Sequence, residues 1–411
     1  MPALFLSMKH SANAILFTLF IISLVYLKST LDYNSLRKLW IRSYFLSILI
    51  LIAPFFAIAV SQLLRLEFYP NNYDAPIRMF LCVPILMAIS QGCVWGEKTA
   101  SIVEIWLCWS IPIAILIVFI SRNYYPATNW GAYRTTYFVD PLTFSTYTLL
   151  FSMLSIIGLV FYYKSLSKLN ILLNLASIFI GFYLSITSGA RTGWVSFPPF
   201  ILILWLALKH EFNIKKTLIF IFFLLATIAV LFKCNPFLFN KLLLALKEVS
   251  NYKLHEINDD TSVAMRLSFY RMGIEYFLER PWTGWGDLSW MISMNRMEFT
   301  QYASEIARLS PKHGFHNEII TSSVRSGIWG LIASLSLFGL VFHNAIKGIG
   351  MKVNKEHRVI SITLLVVITH LFFAGLFTEI TNLTFLSAFI GIILSVLLGE
   401  KIHIEKNTSN L

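Results

Sequence analysis

Long apolar runs separated by short polar connections dominate the chain. Runs such as 41–64, 142–163, 217–232 and 359–377 contain few or no charged residues. A helix of about 20 residues crosses the roughly 30 Å hydrocarbon core of a bilayer, where every backbone group must bond internally. The pattern therefore predicts about eleven membrane-spanning helices, at 12–27, 41–64, 77–95, 99–120, 142–163, 169–188, 194–208, 217–232, 319–343, 359–377 and 382–399. Composition agrees with the pattern. Hydrophobic residues make up 57% and charged residues 13% of the chain, against about 45–50% and about 25% in soluble domains. The expected fold class is an all-α polytopic integral membrane protein with about 11 to 12 transmembrane helices. The first run follows Lys9 without a small-residue cleavage site behind it, so it reads as an uncleaved span.

The polar connections orient these spans. Lysine and arginine gather at Lys28/Arg37/Lys38/Arg42, Lys164/Lys168, Lys209/Lys215/Lys216 and Lys347/Lys352/Lys355/Arg358. All four groups can face the cytoplasm in one alternation, as the bias of basic loops toward that side requires. The connections 65–76, 121–141, 189–193, 233–318 and 378–381 then face outward. The amino terminus also comes out external, which Lys9 opposes. Three parts are expected: transmembrane helices over 1–232, a large outer loop over 233–318, and further transmembrane helices with a short tail over 319–411. The net charge of +12 falls largely in the membrane-flanking connections, so it argues against nucleic acid as a partner. Of the four cysteines, Cys82, Cys93 and Cys108 lie in or beside apolar runs and Cys234 stands alone. No disulfide framework or CxxC metal spacing follows from them.

The outer loop mixes both signs of charge. Within it, Thr261 or Ser262 is a predicted N-cap for a helix running to about Leu278, with Val263, Leu267, Tyr270, Ile274 and Phe277 along one face. Arg271 can pair with Glu275 one turn on. Pro281 ends this helix, and a turn-rich Pro-Trp-Thr-Gly-Trp-Gly run (281–286) follows.

Basic groups collect on this outer side. Arg191 lies in Ser-Gly-Ala-Arg-Thr-Gly (188–193), between two apolar runs. Arg266 and Arg271 lie on the loop helix, and His313 and His316 precede the return to the membrane. Taken singly, each has an ordinary reading: Arg191 as an interfacial anchor, Arg266 as a solvated helix flank. The HxxH pair is a metal site only with a third ligand, which is not evident. Glu104, Arg325 and His370 fall inside predicted spans, as functional groups or as helix-to-helix hydrogen bonds. Trp282, Trp285 and Trp290 suit an interfacial belt, the loop core or sugar stacking. Together the basic groups fit one reaction. Arginine forks match phosphate geometry and keep their charge, and histidine can take a proton from a sugar hydroxyl. No acidic pair is placed to hold a metal, since Asp259 and Asp260 are adjacent in a turn, so no metal and no cofactor is expected.

At these residues the chain resembles the O-antigen ligase and O-antigen polymerase superfamily. Thr-Ser-Gly-Ala-Arg-Thr (187–192) is similar to its span-end arginine motif, and Met-Arg-Leu-Ser-Phe-Tyr-Arg-Met-Gly (265–273) with Pro-Trp-Thr-Gly-Trp-Gly to its loop arginine and Pro-x-x-Gly-x-Gly turn. His-Asn-Glu-Ile-Ile (316–320), with Gly327 and Gly330 behind it, resembles the His-Asn motif. Arg134 to Pro141 resembles the outer-loop arginine-to-proline stretch. By motif the resemblance spans roughly residues 120–345, and the order and spacing of the motifs carry it more than any one of them. It implies a metal-independent, inverting glycosyltransferase of the bacterial inner membrane, with its site facing the periplasm. His316 would be the base or acceptor-orienting group, and Arg191 and Arg266 would hold the diphosphate. Arg134, Arg271, His313 and Asn317 would contact substrate. The partners implied are an undecaprenyl-diphosphate-linked glycan donor, a lipid A–core acceptor and membrane lipids. Arg325 departs from the family pattern, which leaves its role open. The dominance of one outer loop over the shorter 121–141 connection favours ligase over polymerase. A lipid-linked glycan transporter, the competing class, would show repeated halves and several midplane charges, and neither is evident.

Overall fold

The computed structural model describes residues 2–30, 42–92, 102–124, 134–208, 236–253, 256–258, 260–286, 296–309, 314–349 and 354–409. The apolar run 217–232 and residues Cys93, Cys234, Asp259, Trp290 and His313 lie outside them. The described chain is helical, and eight helices are long and apolar enough to cross a membrane. The chain is an all-α multi-pass membrane protein.

Helices are numbered in chain order: α1 (Ser11–Thr30), α2 (Arg42–Arg65), α3 (Pro76–Phe80), α4 (Val83–Ser90), α5 (Ile102–Tyr124), α6 (Pro141–Tyr162), α7 (Lys168–Ser188), α8 (Phe197–Leu208), α9 (Pro236–Asn251), α10 (Ser262–Glu279), α11 (Glu305–Leu309), α12 (Glu318–Ser326), α13 (Ile328–Ile349), α14 (Lys355–Gly375) and α15 (Thr384–Ser409). The run 77–95, read from sequence as one span, is the pair α3 and α4. The run 319–343 is also two helices, because Gly327 sits at φ 63°, ψ −146°, a region open in practice only to glycine. The turn 281–286 closes on this break. Trp285 N–H donates to Val324 O (2.8 Å), Gly286 N–H to Arg325 O (3.0 Å) and Ile328 N–H to Pro281 O (2.6 Å).

Helices α6, α14 and α15 form the middle of the bundle. In their spanning segments 78%, 83% and 83% of residues are buried, against 22% for α1, so the outer helices retain faces for lipid. Helix α6 packs on α7 through small polar groups. Ser155 pairs with Ser177 (2.9 Å), Ser145 with Ser185 (2.9 Å), and a Cβ at Gly181 would strike the Ser152 hydroxyl. Small residues let the backbones approach, and the hydroxyls bond across the interface. This fixes the end of α7, where Arg191 follows.

A second apolar cluster lies in the segment between α9 and α12: Phe269, Met272, Tyr276, Trp285, Phe299, Tyr302 and Phe315, with Val324 of α12. It holds α10 against α12. The predicted N-cap is present, with the Thr261 hydroxyl accepting from Ala264 N–H (3.4 Å). The predicted stripe is displaced. Ala264, Ser268, Phe269, Met272, Gly273 and Tyr276 are buried, whereas Ile274 is 51% exposed. Tyr270 and Phe277 of the predicted stripe do pack against the cluster, but both faces of α10 carry apolar residues, so spacing alone did not place the centre of the buried face.

Candidate functional site

The turn after α7 is built to place Arg191. Gly189 caps the helix at φ 76°, where a side chain would be strained. Arg134 Nε donates to Ser188 O (2.9 Å), Ser145 Oγ donates to Ala190 O (2.9 Å), and Ser196 Oγ hydrogen-bonds His370 Nδ1 (2.6 Å). Gly193 lies over α6, where a Cβ would come 2.9 Å from Thr146 Cα. Arg134 thus braces the arginine turn through a backbone carbonyl. His370 takes the structural reading, a bond between helices. Glu104 likewise accepts from Ser165 Oγ (3.3 Å), tying α5 to the α6–α7 connection.

Helix α10 brings Arg266 to this turn. Burial pushes the ionisation of Arg266 down; Tyr270 opposes this, nearby Arg191 adds to it, and Glu248 opposes it in turn. Two guanidinium groups within electrostatic reach of each other repel, and a polyanion held by both relieves the repulsion. Arg271, five residues on, points elsewhere. It pairs with Glu275 (3.0 Å) and covers the Tyr302 ring at 3.8 Å. The helical turn therefore separates the two arginines, leaving Arg266 with Arg191 and Arg271 in the packing of the loop.

His316 is built from the other side. It adopts a left-handed backbone, φ 51°, uncommon for a residue with a side chain. Its N–H donates to Glu379 Oε1 (2.7 Å), which also accepts from Thr321 Oγ1 (3.0 Å). The Phe315 N–H donates to Thr321 Oγ1 (2.9 Å). A side chain at Gly314 would collide with the Glu379 carboxylate. The imidazole lies near the Phe269 ring, with centroids 5.6 Å apart, and its Nδ1 is buried without a hydrogen-bond partner among the described residues.

Asn317 is committed to structure. Its Oδ1 accepts from Ile319 N–H (3.0 Å) and Ile320 N–H (3.1 Å), capping α12, while Nδ2 donates to Leu376 O (3.4 Å). The Tyr270 hydroxyl donates to the same carbonyl. Burial pushes the Tyr270 phenol up, against the pull of Arg266 and the Asn317 hydrogen bond, while Glu379 pushes it further up. Tyr270 is therefore within electrostatic reach of both the arginine and the carboxylate side of the site. Arg325 lies on α12 rather than inside a span, and its Nη1 donates to Asn382 Oδ1 (2.6 Å).

The structure thus brings Arg191, Arg266, Tyr270, Asn317, His316 and Glu379 into one neighbourhood. Arg134 stands behind it and Arg271 outside it, and His313 lies outside the described residues. Sequence reasoning passed over Glu379, Glu318 and the Tyr270 hydroxyl. Glu318 is 2% exposed and accepts from Ile380 N–H (2.7 Å), Thr381 N–H (3.1 Å), Ser322 Oγ (3.2 Å) and the Thr381 hydroxyl. It ties α12 to the α14–α15 connection. A signal did exist for Glu379, a lone carboxylate in a short connection between two apolar runs. Among the described residues no three His, Cys, Asp or Glu side chains group as metal ligands.

Residues 175–335 match the family model described as O-antigen ligase. The matched stretch includes Arg191, Arg266, His316 and Asn317 and stops short of Glu379. No curated protein matches the chain.

Proposed function

We propose, from the chain's place in the O-antigen ligase and polymerase superfamily, that it is an O-antigen ligase. It would transfer polysaccharide from undecaprenyl diphosphate to a sugar hydroxyl of lipid A–core, without a metal and with inversion. The observation that carries this reading is that Arg191, just past α7, and Arg266, near the start of α10, lie within electrostatic reach of each other, with His316 against Phe269 of the same helix. In the transfer, the bond between the anomeric carbon and the diphosphate oxygen breaks as the acceptor oxygen attacks from the opposite face. The electron pair of the broken bond leaves on the diphosphate, where the two arginine forks stabilise the growing charge. The acceptor proton passes to a nitrogen of His316, a step that typically contributes about 10²–10⁴-fold. Glu379 contributes by holding the His316 backbone, and Arg134 by bracing the turn that carries Arg191.

The dominance of one large loop (233–318) over the shorter 121–141 connection supports ligase over polymerase. The test is a reconstituted transfer assay with undecaprenyl-diphosphate glycan, lipopolysaccharide lacking O-chains, and chelator present. Wild type is expected to extend the lipopolysaccharide, and His316→Ala to lose transfer while still binding donor. Donor chains lengthening on the lipid instead would replace ligase with polymerase. Full activity in His316→Ala would remove the histidine from the mechanism.

A further inference from the structure

Helix α9 is a structural feature that the transfer reaction leaves unexplained. Leu243, Leu246 and Val249 follow one another at three-residue spacing, within an arc of about 120°. They are 48%, 61% and 55% exposed, comparable with the lipid-facing residues of α1 such as Ile21 and Val25 (59% and 67%). Ser250 falls inside that arc, Lys247, Asn240 and Asn251 lie beside it, and Leu244 lies off it. The attachment is on the side opposite the arc. Glu248 accepts from Val263 N–H in the first turn of α10 (3.2 Å).

The position of α10 sets the height of this helix, since Glu248 joins α9 to its first turn. Helix α10 rests on the ends of the spans, with the Tyr270 hydroxyl on Leu376 O just past α14 and Arg266 within electrostatic reach of Arg191 just past α7. The sequence also predicts a span ending at Phe232, outside the described residues, which would leave at most about 14 Å of chain before Pro236 begins α9. A helix held there with an aliphatic edge outward meets the lipid interface. Lys247 flanks the arc, where its stem can follow the apolar edge and its ammonium reach lipid phosphate.

We propose that α9 is an in-plane membrane helix, with Leu243, Leu246 and Val249 embedded in the leaflet on the loop's side of the bilayer. The bilayer surface then fixes the position of the first turn of α10, and with it the height at which Arg266 stands. The site is thereby held at the level where a lipid-anchored diphosphate lies.

Nitroxide labels at Leu243→Cys, Leu246→Cys and Asn251→Cys test this in nanodiscs of phosphatidylethanolamine and phosphatidylglycerol. The native cysteines are replaced by serine, and elution as a single species confirms folding. Collision with oxygen, which concentrates in lipid, is compared with collision with a water-soluble nickel chelate. The expected result is an oxygen-to-nickel ratio several-fold higher at 243 and 246 than at 251. Nickel accessibility at 243 and 246 equal to that at 251 would overturn the proposal by placing the edge in water. Shielding from both probes, with spin–spin broadening between labels, would overturn it in favour of a second copy. None of these readings depends on glycosyl transfer, so the proposal can fail while the ligase reading stands.

Discussion

His316 takes a backbone conformation that a side chain disfavours, and the Glu379 carboxylate supplies the compensating bond to its N–H. A hydrogen bond to a charged group contributes about 1.5–3 kcal/mol. Glu379→Gln keeps the size of the side chain and removes the charge. It is expected to lower kcat about tenfold, with little change in KM for donor, because the imidazole is misplaced and the arginines are not. An unchanged kcat in steady-state assays would show that Glu379 does not position the histidine. The two loop arginines provide a sharper contrast. Arg266→Ala is expected to raise donor KM and lower kcat together, since it removes charge beside Arg191. Arg271→Ala should leave both parameters near wild type and lower thermal stability, losing a half-exposed ion pair and a ring contact worth about 1 kcal/mol each at most. The sequence showed both arginines on one helix but not how the helix was rolled. A one-residue difference in the buried stripe decided which of them reached the site.

At the scale of elements, the least legible feature was the break between α12 and α13. Apolar periodicity registers Ile328 onward as a span, and it also counts the residues before Gly327, because Ile319, Ile320 and Val324 are apolar. What separates the helices is the turn 281–286, whose N–H groups bond the carbonyls of Val324 and Arg325 from a distant part of the chain. Long-range partners of this kind leave no local pattern. The spans themselves were legible, because the need to bond backbone groups inside lipid acts on each segment separately. Gly327→Ala tests the break. At φ 63°, ψ −146° an alanine is strained, and its Cβ would meet Pro281 O and Trp282 at distances that force a shift. The expected cost is on the order of 1–3 kcal/mol. It should appear as a lower unfolding midpoint by tryptophan fluorescence, with reduced transfer because α12 carries the His316 motif at its start. A wild-type midpoint would mean that the turn tolerates the change and does not enforce the break.

For the whole molecule, the distribution of charge and the placement of the site point the same way. Lys164 and Lys168 flank the α6–α7 turn, and Lys347 and Lys355 flank the α13–α14 connection. Arg191 lies past the far end of α7, and His316 lies just before α12, which leads into α13. Since α7 and α13 each run from one end of the bundle to the other, these lysines stand on the side opposite the candidate site. From the bias of basic connections toward the cytoplasm we propose that the arginines and His316 face outside, where lipid-linked glycan would meet its acceptor. Single cysteines in intact spheroplasts, in a chain whose native cysteines are serine, provide the test. Asn251→Cys is expected to react with a membrane-impermeant maleimide, while Lys164→Cys and Lys347→Cys react only after permeabilisation. The reverse pattern would put the site in the cytoplasm and remove the periplasmic acceptor from the mechanism, because the donor diphosphate would then be displayed on the wrong leaflet for lipopolysaccharide assembly.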